Sequence, residues 1–450
     1  MATKLGRTGT SSTNATKFTW SAWVRRANIG SGGMMLYNYL NGDNRAYLQF
    51  QADNKIYYYD KDGGNIQASL TTTALYSDPN AWYHICLIGD STDGTQGDRI
   101  QLYVNGVRQT MTGTYPGSSV SLGMKVHTGT NYHVIGTNSD STSNPFLGVM
   151  SHVHYIDGID YPATTFGSTD AVTGEWKITT NPGISTSNYG NNGYFVLKDG
   201  NSGTDQSGNS HNLTVTSGTL SKTEDCPSNV FATLNPLSVR DSNYVATYGN
   251  TRINTGGSTE WGGAIAATMG ATGGKFYWEV KWNAGDSYSI TGVIPANKYH
   301  TCALTSGTAV YTYANGVQLS TSGTGTIYNA ASSNGNFVQQ SVGSIYSFAL
   351  DMENKKMWIG VNGTWYNSGN PGAGSNETWG SSEFAADDVW VPYAQGYQIS
   401  NDTTFNFNFG NGTFEGANVA SAGTNASNNG IFEYDVPTGF TALSTKGLNL

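Results

Sequence analysis

The acidic residues of the chain are scattered and do not form the cluster that sugar hydrolysis requires. Retaining glycoside hydrolysis needs two carboxyl groups about 5 Å apart. One strand can supply them through the motif E-x-D-x-E, or a version of it that is one residue longer, because alternate residues share a strand face. Glu279 stands alone in its predicted strand, and the adjacent Asp387 and Asp388 would point to opposite faces of a strand. The other glutamates considered are Glu175, Glu260, Glu353 and Glu433. The spacing predicts that the chain is not an enzyme and has no catalytic residues.

Histidines and serines offer no clear catalytic arrangement either. No G-x-S-x-G elbow follows a predicted strand. His84, His133, His152 and His154 lie in predicted strands, and the last two share a strand face in "SHVHYI". Two imidazoles at this spacing could face a metal ion, but a third ligand is not evident. We therefore expect no metal and no other cofactor.

One acidic loop, "DSTDGTQGD" over residues 90–98, leaves calcium binding open as an alternative. Aspartate and asparagine oxygens are ligands that calcium accepts. The loop lacks the regular spacing of an EF-hand, and a hairpin loop of this composition needs no metal. The sequence favours the hairpin loop without excluding calcium.

Aromatic residues in polar loops are the better candidates for a binding site. Trp365 and Tyr366 lie in "GTWYNSGNP", and Trp379 lies in "NETWGSSEF". Exposed rings among Asn, Ser and Gly suit stacking on sugars, with hydrogen bonds to sugar hydroxyls. The alternative is that these rings pack beneath their loops. For the consecutive tyrosines 57–59 we expect core packing, although at least one ring must face away from the others.

Composition predicts an all-β protein. The 450 residues are 37% hydrophobic and only 12% charged, with 58 glycines, and aromatic residues alternate with turn formers. A net charge of -9 argues against nucleic acid as a partner, because phosphate binding needs clustered Lys and Arg. Three widely spaced cysteines predict no disulfide network, and no segment reads as a signal peptide or a membrane span. We expect folding in a reducing cytoplasm and no membrane insertion.

The pattern of strands and turns predicts two β-sandwich domains in series. The predicted boundaries are 1–170 for the first domain, 171–240 for a loop-rich connector and 241–450 for the second, with "IFEYDVPTGFTAL" as a docked C-terminal segment. Asn-Gly pairs at 105–106, 315–316 and 362–363 predict hairpin turns, and further turns are predicted at 53–54 and 62–64.

In "GKFYWEVKW", alternation places Phe276, Trp278 and Val280 on a core face and Glu279 with Lys281 on a solvated or paired outer face.

Several motifs resemble known β-sandwich families. "FTWSAWVRR", "WYHICLIGD", "IQLYVNGVRQ" and "FLGVMSHVHYIDG" occur in the order of a laminin G-like (LamG) domain of the concanavalin A-like jelly-roll superfamily, covering about residues 1–165. "GKFYWEVKW", "YSFALDMENKKMWIGVNGTW" and "FNFNFGNGTF" resemble strands of a SPRY domain. The stretch "GSIYSFALD" departs from the Gly-Val-rich strand more usual there.

The order of LamG unit, "DCPSNVFATLNPL" connector, SPRY unit and terminal "VPTGFTALSTKGLNL" resembles virion proteins of tailed phages that infect marine bacteria. This resemblance implies a non-enzymatic structural protein on the virion exterior, tail-fibre-like, that contacts host-surface glycans. Implied partners are other tail or capsid proteins and further copies of the chain, which is made in the host cytoplasm. The alternatives are a capsid decoration protein (a knob or head fibre) and a secreted polysaccharide-degrading enzyme.

Overall fold

Residues 1–220 and residues 221–450 fold as two units. A computed structural model describes residues 2–27, 29–122, 132–138, 143–198, 202–221, 223–239, 243–255, 264–285, 288–299, 310–320, 324–330, 332–338, 341–384, 388–396 and 402–449. Residues 171–220 belong to the first unit and residues 221–240 to the second. The division therefore differs from the predicted one, in which residues 171–240 formed a separate connector.

The first unit contains sixteen strands among its described residues. They are β1 Lys4–Thr8, β2 Lys17–Arg26, β3 Gly33–Asn41, β4 Asn44–Phe50, β5 Ile56–Asp62, β6 Asn65–Thr72, β7 Trp82–Asp90, β8 Ile100–Val104, β9 Val107–Arg108, β10 Met111–Thr114, β11 Tyr132–Ile135, β12 Gly148–Asp157, β13 Gly167–Thr169, β14 Trp176–Ile178, β15 Tyr194–Val196 and β16 Thr214–Ser217. Along the chain, groups of consecutive strands fall in one sheet or the other, and β13 with β14 form a separate pair.

Two sheets pack face to face in the first unit. The first sheet has the order β10-β6-β5-β4-β3-β11-β1-β16, the second has the order β15-β12-β2-β7-β8-β9, and β13 pairs with β14 apart from both. Alternate residues point inward, so that Leu48 and Tyr58 of the first sheet join Trp20 and Leu87 of the second in one buried core. The β-sandwich prediction is confirmed.

The segment after β12 covers the outer face of the second sheet. Phe166, Tyr189 and Phe195 pack with Cys86 of β7 into a separate buried cluster. Farther along the chain, β16 extends the first sheet by pairing with β1. This packing explains why residues beyond 170 belong to the first unit: their aromatic side chains close a sheet face that would otherwise expose apolar surface.

The second unit contains a further sixteen strands among its described residues. They are β17 Val245–Thr247, β18 Arg252–Asn254, β19 Ile265–Ala266, β20 Lys275–Ala284, β21 Ser289–Pro295, β22 Asn315–Leu319, β23 Thr324–Asn329, β24 Ser332–Val338, β25 Ile345–Asp351, β26 Lys356–Val361, β27 Thr364–Trp365, β28 Trp390–Gly396, β29 Thr404–Asn408, β30 Thr413–Phe414, β31 Ala417–Asn418 and β32 Thr441–Ala442.

These strands form a second sandwich. One sheet has the order β17-β18-β29-β20-β25-β26-β27, with β32 added beside β20, and the other has the order β19-β28-β21-β22-β23-β24. The strand pairs that the structure describes are antiparallel except β20 with β32, which is parallel. Phe276, Trp278 and Val280 are buried in the core, as alternation predicts.

The outer face of β20 is buried as well, which corrects one prediction. Glu279 was expected on a solvated or paired face, but it is fully buried. The C-terminal segment docks over this face, with Phe432 and Phe440 buried and the ring of Phe432 4.9 Å from that of Tyr277. Residues about 150 positions away in sequence cover the face, so alternation within the strand could not reveal its burial.

Most of the predicted turns are confirmed. Positive φ angles occur at Asn105 and Gly106, at Asn362 and Gly363, and also at Asn54, Gly63 and Gly64. The hairpin predicted at Asn315–Gly316 is wrong, because both residues lie within β22. A Cβ at Gly316 would come within 2.6 Å of the carbonyl oxygen of Thr291 on the neighbouring strand, so this glycine permits close strand approach.

Helical structure is sparse in the described residues. Short 3₁₀ turns occur at Gln96–Asp98, Ala163–Thr165, Thr186–Tyr189, Pro236–Ser238, Val310–Tyr313, Tyr366–Ser368, Pro371–Ala373, Ser381–Glu383 and Gly447–Asn449. Residues 296–299 are α-helical. Within the part of the chain that the structure describes, no helix has the length and apolar character needed to cross a membrane.

Candidate functional site

Trp379, one of the three predicted binding residues, lies inside the second unit. Its side chain is only 1% exposed, and its indole Nε1–H donates to the carbonyl oxygen of Tyr328 at 2.8 Å. Its backbone N–H donates to the carbonyl of Met357. This corrects the expectation of an exposed ring: Trp379 anchors its loop to the core, and a sugar cannot reach its face.

Trp365 and Tyr366 remain partly exposed at the end of β27. The ring of Trp365 meets Tyr277 edge-on at 6.4 Å and lies against Gly360, where a Cβ would come within 3.2 Å of it. The Tyr366 hydroxyl donates to the carbonyl of Asn336 at 3.4 Å. These two rings therefore differ from Trp379 in their exposure, although all three pack in or against the same core. Glycan binding by Trp365 and Tyr366 stays a prediction.

A more extensive aromatic surface lies on the outer face of the first sheet of the first unit. Among the consecutive tyrosines 57–59, Tyr58 points into the core and donates to the buried Asp60 carboxylate at 2.6 Å. Tyr57 and Tyr59 point outward and are partly exposed. Together with tyrosines of β3 and β4 they form a surface that we term the tyrosine face, which consists of Tyr37, Tyr39, Tyr47, Tyr57 and Tyr59. Tyr37 is buried, and the other four rings are partly exposed.

The register of three adjacent strands produces this surface. Tyr47 of β4 pairs with Tyr37 of β3 and with Tyr59 of β5, so their side chains form one row across the sheet. The ring of Tyr47 stacks on Tyr37 at 5.6 Å and on Tyr59 at 5.1 Å, with interplanar angles of 18° and 22°. Tyr39 extends the stack from Tyr37 at 5.7 Å. Stacking restricts the rotamers of these rings and preorganises the row.

Uncharged polar residues continue the surface on neighbouring positions. Gln49 and Thr71 pair with Tyr57, and Ser69 pairs with Tyr59. The Tyr57 hydroxyl and the Ser69 hydroxyl are 3.0 Å apart. Partial burial raises the pKa of Tyr47 far above its usual value, so its hydroxyl is a neutral hydrogen-bond donor at every physiological pH.

This arrangement suits a ligand with an apolar face and a hydroxylated rim. Because neighbouring rings cover part of each other's faces, a ligand meets the outermost ring faces, the ring edges and the phenol hydroxyls. Carbohydrates combine C–H faces with hydroxyl groups, which match aromatic carbon and polar rim respectively. The tyrosine face can therefore stack on a glycan and hydrogen-bond to it without any reactive group.

Sequence reasoning missed this surface, although a signal was present. Tyr37 and Tyr39 are two residues apart in "LYNYLN", and Tyr57 and Tyr59 repeat the same spacing. Two strands with this period-two pattern place tyrosines on one face if the strands share a sheet. The prediction needed the pairing of β3, β4 and β5, which the sequence of a single strand does not specify.

Buried Ser21 and His84 lie together as in a catalytic dyad, but the histidine tautomer is the wrong one for a base. Ser21 Oγ lies 2.9 Å from His84 Nε2, while the indole N–H of Trp176 donates to His84 Nδ1 at 3.1 Å. Because Nδ1 accepts, Nε2 carries the proton and donates to Ser21, so this histidine cannot take the serine proton. Burial also lowers the pKa of His84 to about 3. The pair packs beneath Trp176 and serves structure.

His152 and His154, which were also considered as metal ligands, are engaged within the core. A register shift separates His152 from His154, and His152 has a positive φ. His152 Nδ1 lies 2.7 Å from Ser151 Oγ, and His154 Nδ1 lies 2.9 Å from the Tyr189 hydroxyl. Among the described residues, no group of three His, Cys, Asp or Glu side chains converges as metal ligands would.

The acidic loop considered for calcium holds its carboxylates by local contacts. Asp90 accepts from the backbone and side chain of Thr92 and pairs with Lys17 at 2.8 Å. Asp98 pairs with Arg108. Asp90 and Asp98 therefore have their partners within the protein, as expected of a hairpin loop that needs no metal. Of the scattered acids considered for catalysis, Glu260 and Asp387 lie outside the described residues.

Comparison with known proteins bears on the first unit. The Laminin_G_3 family model, described as the concanavalin A-like lectin/glucanases superfamily, matches residues 4–159. The first unit carries a concanavalin A-like domain. Its outward tyrosine row on β3, β4 and β5 lies entirely within the matched residues. None of the curated protein sequences compared with the chain is significantly similar to it.

Solved structures show distant likenesses. The SPRY domain of human HERC1 is 15% identical, with 39% of this chain and 96% of that chain covered and a TM-score of 0.29. The TRIM65 PSpry domain is 11% identical, with 39% and 91% covered and a TM-score of 0.29. A heptameric SAP-like pentraxin from Limulus polyphemus is 13% identical, with 36% and 72% covered and a TM-score of 0.28. At these values the likenesses say nothing about activity.

The concanavalin A-like domain has few carboxyl groups suited to sugar hydrolysis. Its superfamily description names both lectins and glucanases. In residues 1–220 the only glutamate is Glu175, which is exposed, and Asp60 and Asp157 are buried in β5 and β12. The Asp60 carboxylate accepts from Tyr58, and the Asp157 carboxylate accepts from Thr13 and Asn192. These acids hold structure in place and do not face the tyrosine face.

Proposed function

We propose that this protein is a non-enzymatic structural protein on the exterior of a tailed-phage particle, where the concanavalin A-like domain binds host-surface glycans through the tyrosine face. The observation that carries glycan binding is the row of stacked rings on β3, β4 and β5, in which Tyr39, Tyr47 and Tyr59 are partly exposed and Tyr37 is buried beneath them. The virion location rests on the order of motifs along the sequence. Copies on one particle would bind a repetitive glycan multivalently, so weak single sites suffice.

A non-enzymatic role is supported by the chemistry of the chain. Retaining hydrolysis needs a carboxylate pair about 5 Å apart, and inversion needs a pair about 6.5–9.5 Å apart. In residues 1–220 the single glutamate is exposed, and the buried carboxylates of Asp60 and Asp157 are occupied by hydrogen bonds from Tyr58, Thr13 and Asn192. The net charge of -9 favours a partner other than nucleic acid.

Binding of purified protein to host cells and to host-surface polysaccharide tests the glycan proposal. Tyr39→Ala and Tyr59→Ala each remove one partly exposed ring, and each should weaken binding about 3- to 10-fold, the effect of losing one aromatic contact of roughly 0.5–1.5 kcal/mol. Tyr248→Ala is the matched control, because Tyr248 is 55% exposed and lies in the second unit. Trp365→Ala tests the second unit separately. Undiminished binding by both face variants would remove the tyrosine face from the proposal.

Antibody labelling of purified particles tests the virion location. Electron microscopy should show the label on the outside of the particle, and its position separates a tail appendage from a capsid knob or head fibre. If the protein is absent from particles, the virion proposal is wrong, whatever the glycan experiments show.

A further inference from the structure

We infer that the glycan bound at the tyrosine face is anionic, a polysaccharide bearing carboxylate or sulfate groups, and that Arg45 contacts the anionic group. This inference rests on the proposed glycan-binding function and specifies its ligand class. Arg45 lies on β4, next to the tyrosine row and two residues before Tyr47. It pairs with Tyr39 on β3 and with Lys61 on β5.

The guanidinium of Arg45 is held among aromatic rings. Its central carbon lies 5.6 Å from the ring centroid of Tyr59. Arginine is favoured at such positions because its planar group stacks on a ring while its edge remains able to donate hydrogen bonds. A guanidinium fixed in this way loses little conformational freedom when it binds an anion.

Within the described residues this guanidinium interacts with the Tyr59 hydroxyl and, without a direct ion pair, with the Asp43 carboxylate. No carboxylate of the described residues forms an ion pair with Arg45, and its buried Nε–H has no acceptor there. Lys61, opposite it, differs: Lys61 Nζ pairs with Asp43 at 2.9 Å and also donates to the carbonyl of Gly42. The Asp43 carboxylate is 69% exposed, and its direct ion pair is with this lysine and not with Arg45.

An acidic sugar satisfies both parts of this surface. Its ring stacks on the tyrosines and its hydroxyls reach Gln49 or Ser69, while its carboxylate or sulfate accepts from the Arg45 guanidinium. Hydrogen bonds between a guanidinium and an oxyanion are charge-assisted and stronger than neutral ones. Because the whole chain carries a charge of -9, an anionic polymer is not attracted by the protein at long range, and specific binding must come from a local cation.

Three soluble polymers test the ligand class on the intact chain: alginate as the carboxylate, dextran sulfate as the sulfate and unmodified dextran as the neutral glycan. We expect wild type to bind at least one anionic polymer about 10-fold or more tightly than dextran. Arg45→Gln should weaken binding of that polymer about 10- to 100-fold and weaken dextran binding much less, so that the preference for the anionic polymer falls. Arg45→Lys keeps the charge but loses the planar group. Its affinity for the anionic polymer should lie between those of wild type and Arg45→Gln.

Arg108→Gln is the matched control, because Arg108 is an exposed arginine of the same unit that already pairs with Asp98. Thermal unfolding of each variant verifies that the fold is retained. If dextran binds as tightly as both anionic polymers, or if Arg45→Gln binds the anionic polymer like wild type, the inference is wrong and the proposed glycan binding stands. If wild type binds none of the polymers, or if Tyr39→Ala and Tyr59→Ala bind every polymer as tightly as wild type does, glycan binding at this face fails together with the inference.

Discussion

The carboxylate of Glu279 accepts a hydrogen bond from the backbone N–H of Tyr434, with 2.8 Å between Tyr434 N and Glu279 Oε1. The adjacent N–H of Glu433 donates to Oε2 at 2.9 Å. Tyr277 donates its hydroxyl to Oε1, and Asn408 donates its side-chain amide to Oε2. A single buried side chain on β20 therefore fixes the C-terminal segment to the outer face of the second unit.

Removing this carboxylate should loosen the C-terminal segment. Glu279→Ala leaves the N–H groups of Glu433 and Tyr434 without their acceptor, and each buried unsatisfied donor costs roughly 1–3 kcal/mol. Since the substitution also relieves the burial of a charge, we expect a net loss of about 2 kcal/mol in the stability of the second unit. Hydrogen exchange should show lost protection in residues 431–436. Glu353→Ala, at a 60% exposed glutamate, is the control and should change little. Unchanged exchange in Glu279→Ala would contradict the anchoring role.

Docking of this segment should weaken as pH rises through neutrality. Burial raises the pKa of Glu279 to about 7 from an ordinary value of 4.5, against the opposing effect of its four donors. The docked state thus binds the proton more tightly than an exposed glutamate does. Its contribution is fully present below about pH 4.5 and is lost as pH rises through about 7, with an upper bound of about 3 kcal/mol.

Hydrogen exchange of residues 431–436 between pH 5 and pH 8.5, corrected for intrinsic rates, measures this dependence. Glu279 faces Tyr277 on its own strand, and Glu433 and Tyr434 on the docked segment, so no histidine in these contacts adds a competing titration. Glu279→Gln cannot titrate and should lose the slope. The same slope in wild type and Glu279→Gln would assign the effect to another group.

The core of each unit could be predicted from the sequence because local alternation determines it. Phe276, Trp278 and Val280 point inward as their spacing indicates, and Asn105–Gly106 forms the turn that its chemistry demands. Burial that depends on distant segments could not be predicted in this way. Glu279 looks like a surface residue until a segment more than 150 positions later covers it.

The candidate site shows the same limit. Trp379 has the local sequence of an exposed loop residue, yet a tertiary contact with Tyr328 buries it. Conversely, the run of Tyr57, Tyr58 and Tyr59 suggested core, and the strand divides it between core and surface. Only the pairing of β5 with β4 and β3 turns two separate tyrosines into one continuous face.

The first unit should respond to acid in the opposite sense from the Glu279 contact. Burial lowers the pKa values of His84 and His133 to about 3, whereas an unfolded histidine titrates near 6.5. The stability that they contribute is present above about pH 6.5 and is lost as pH falls through about 3. At pH 5 each histidine should therefore cost about 2 kcal/mol relative to neutral pH.

A substitution at His133 isolates part of this effect. Both ring nitrogens of His133 are buried without a partner in the described residues, and its ring lies 4.6 Å from that of Tyr155. His133→Phe keeps the aromatic contact and removes the titration, so the pH 5 to pH 7 difference in stability should shrink by about 2 kcal/mol. His211→Phe, at a partly exposed histidine of the same unit, is the control. Hydrogen exchange of the first unit supplies the readout, and equal acid sensitivity in wild type and His133→Phe would refute the assignment.

Gly316 should tolerate substitution poorly, for a reason opposite to the one its sequence suggests. In a hairpin turn, a larger residue would be strained by its positive φ, but Gly316 lies in β22 and faces Gly292 across the strand pair. A Cβ there would meet the Thr291 carbonyl oxygen at 2.6 Å and push β22 away from β21. We expect Gly316→Ala to destabilise the second unit by about 1–3 kcal/mol, as overpacking does. Gly273→Ala, where a Cβ meets nothing within 4 Å, is the control and should be close to neutral. Chemical unfolding of both variants measures the loss of stability. A third variant, Gly316→Asn, separates the two interpretations, because a turn position accepts Asn in place of Gly whereas the strand position rejects both Ala and Asn.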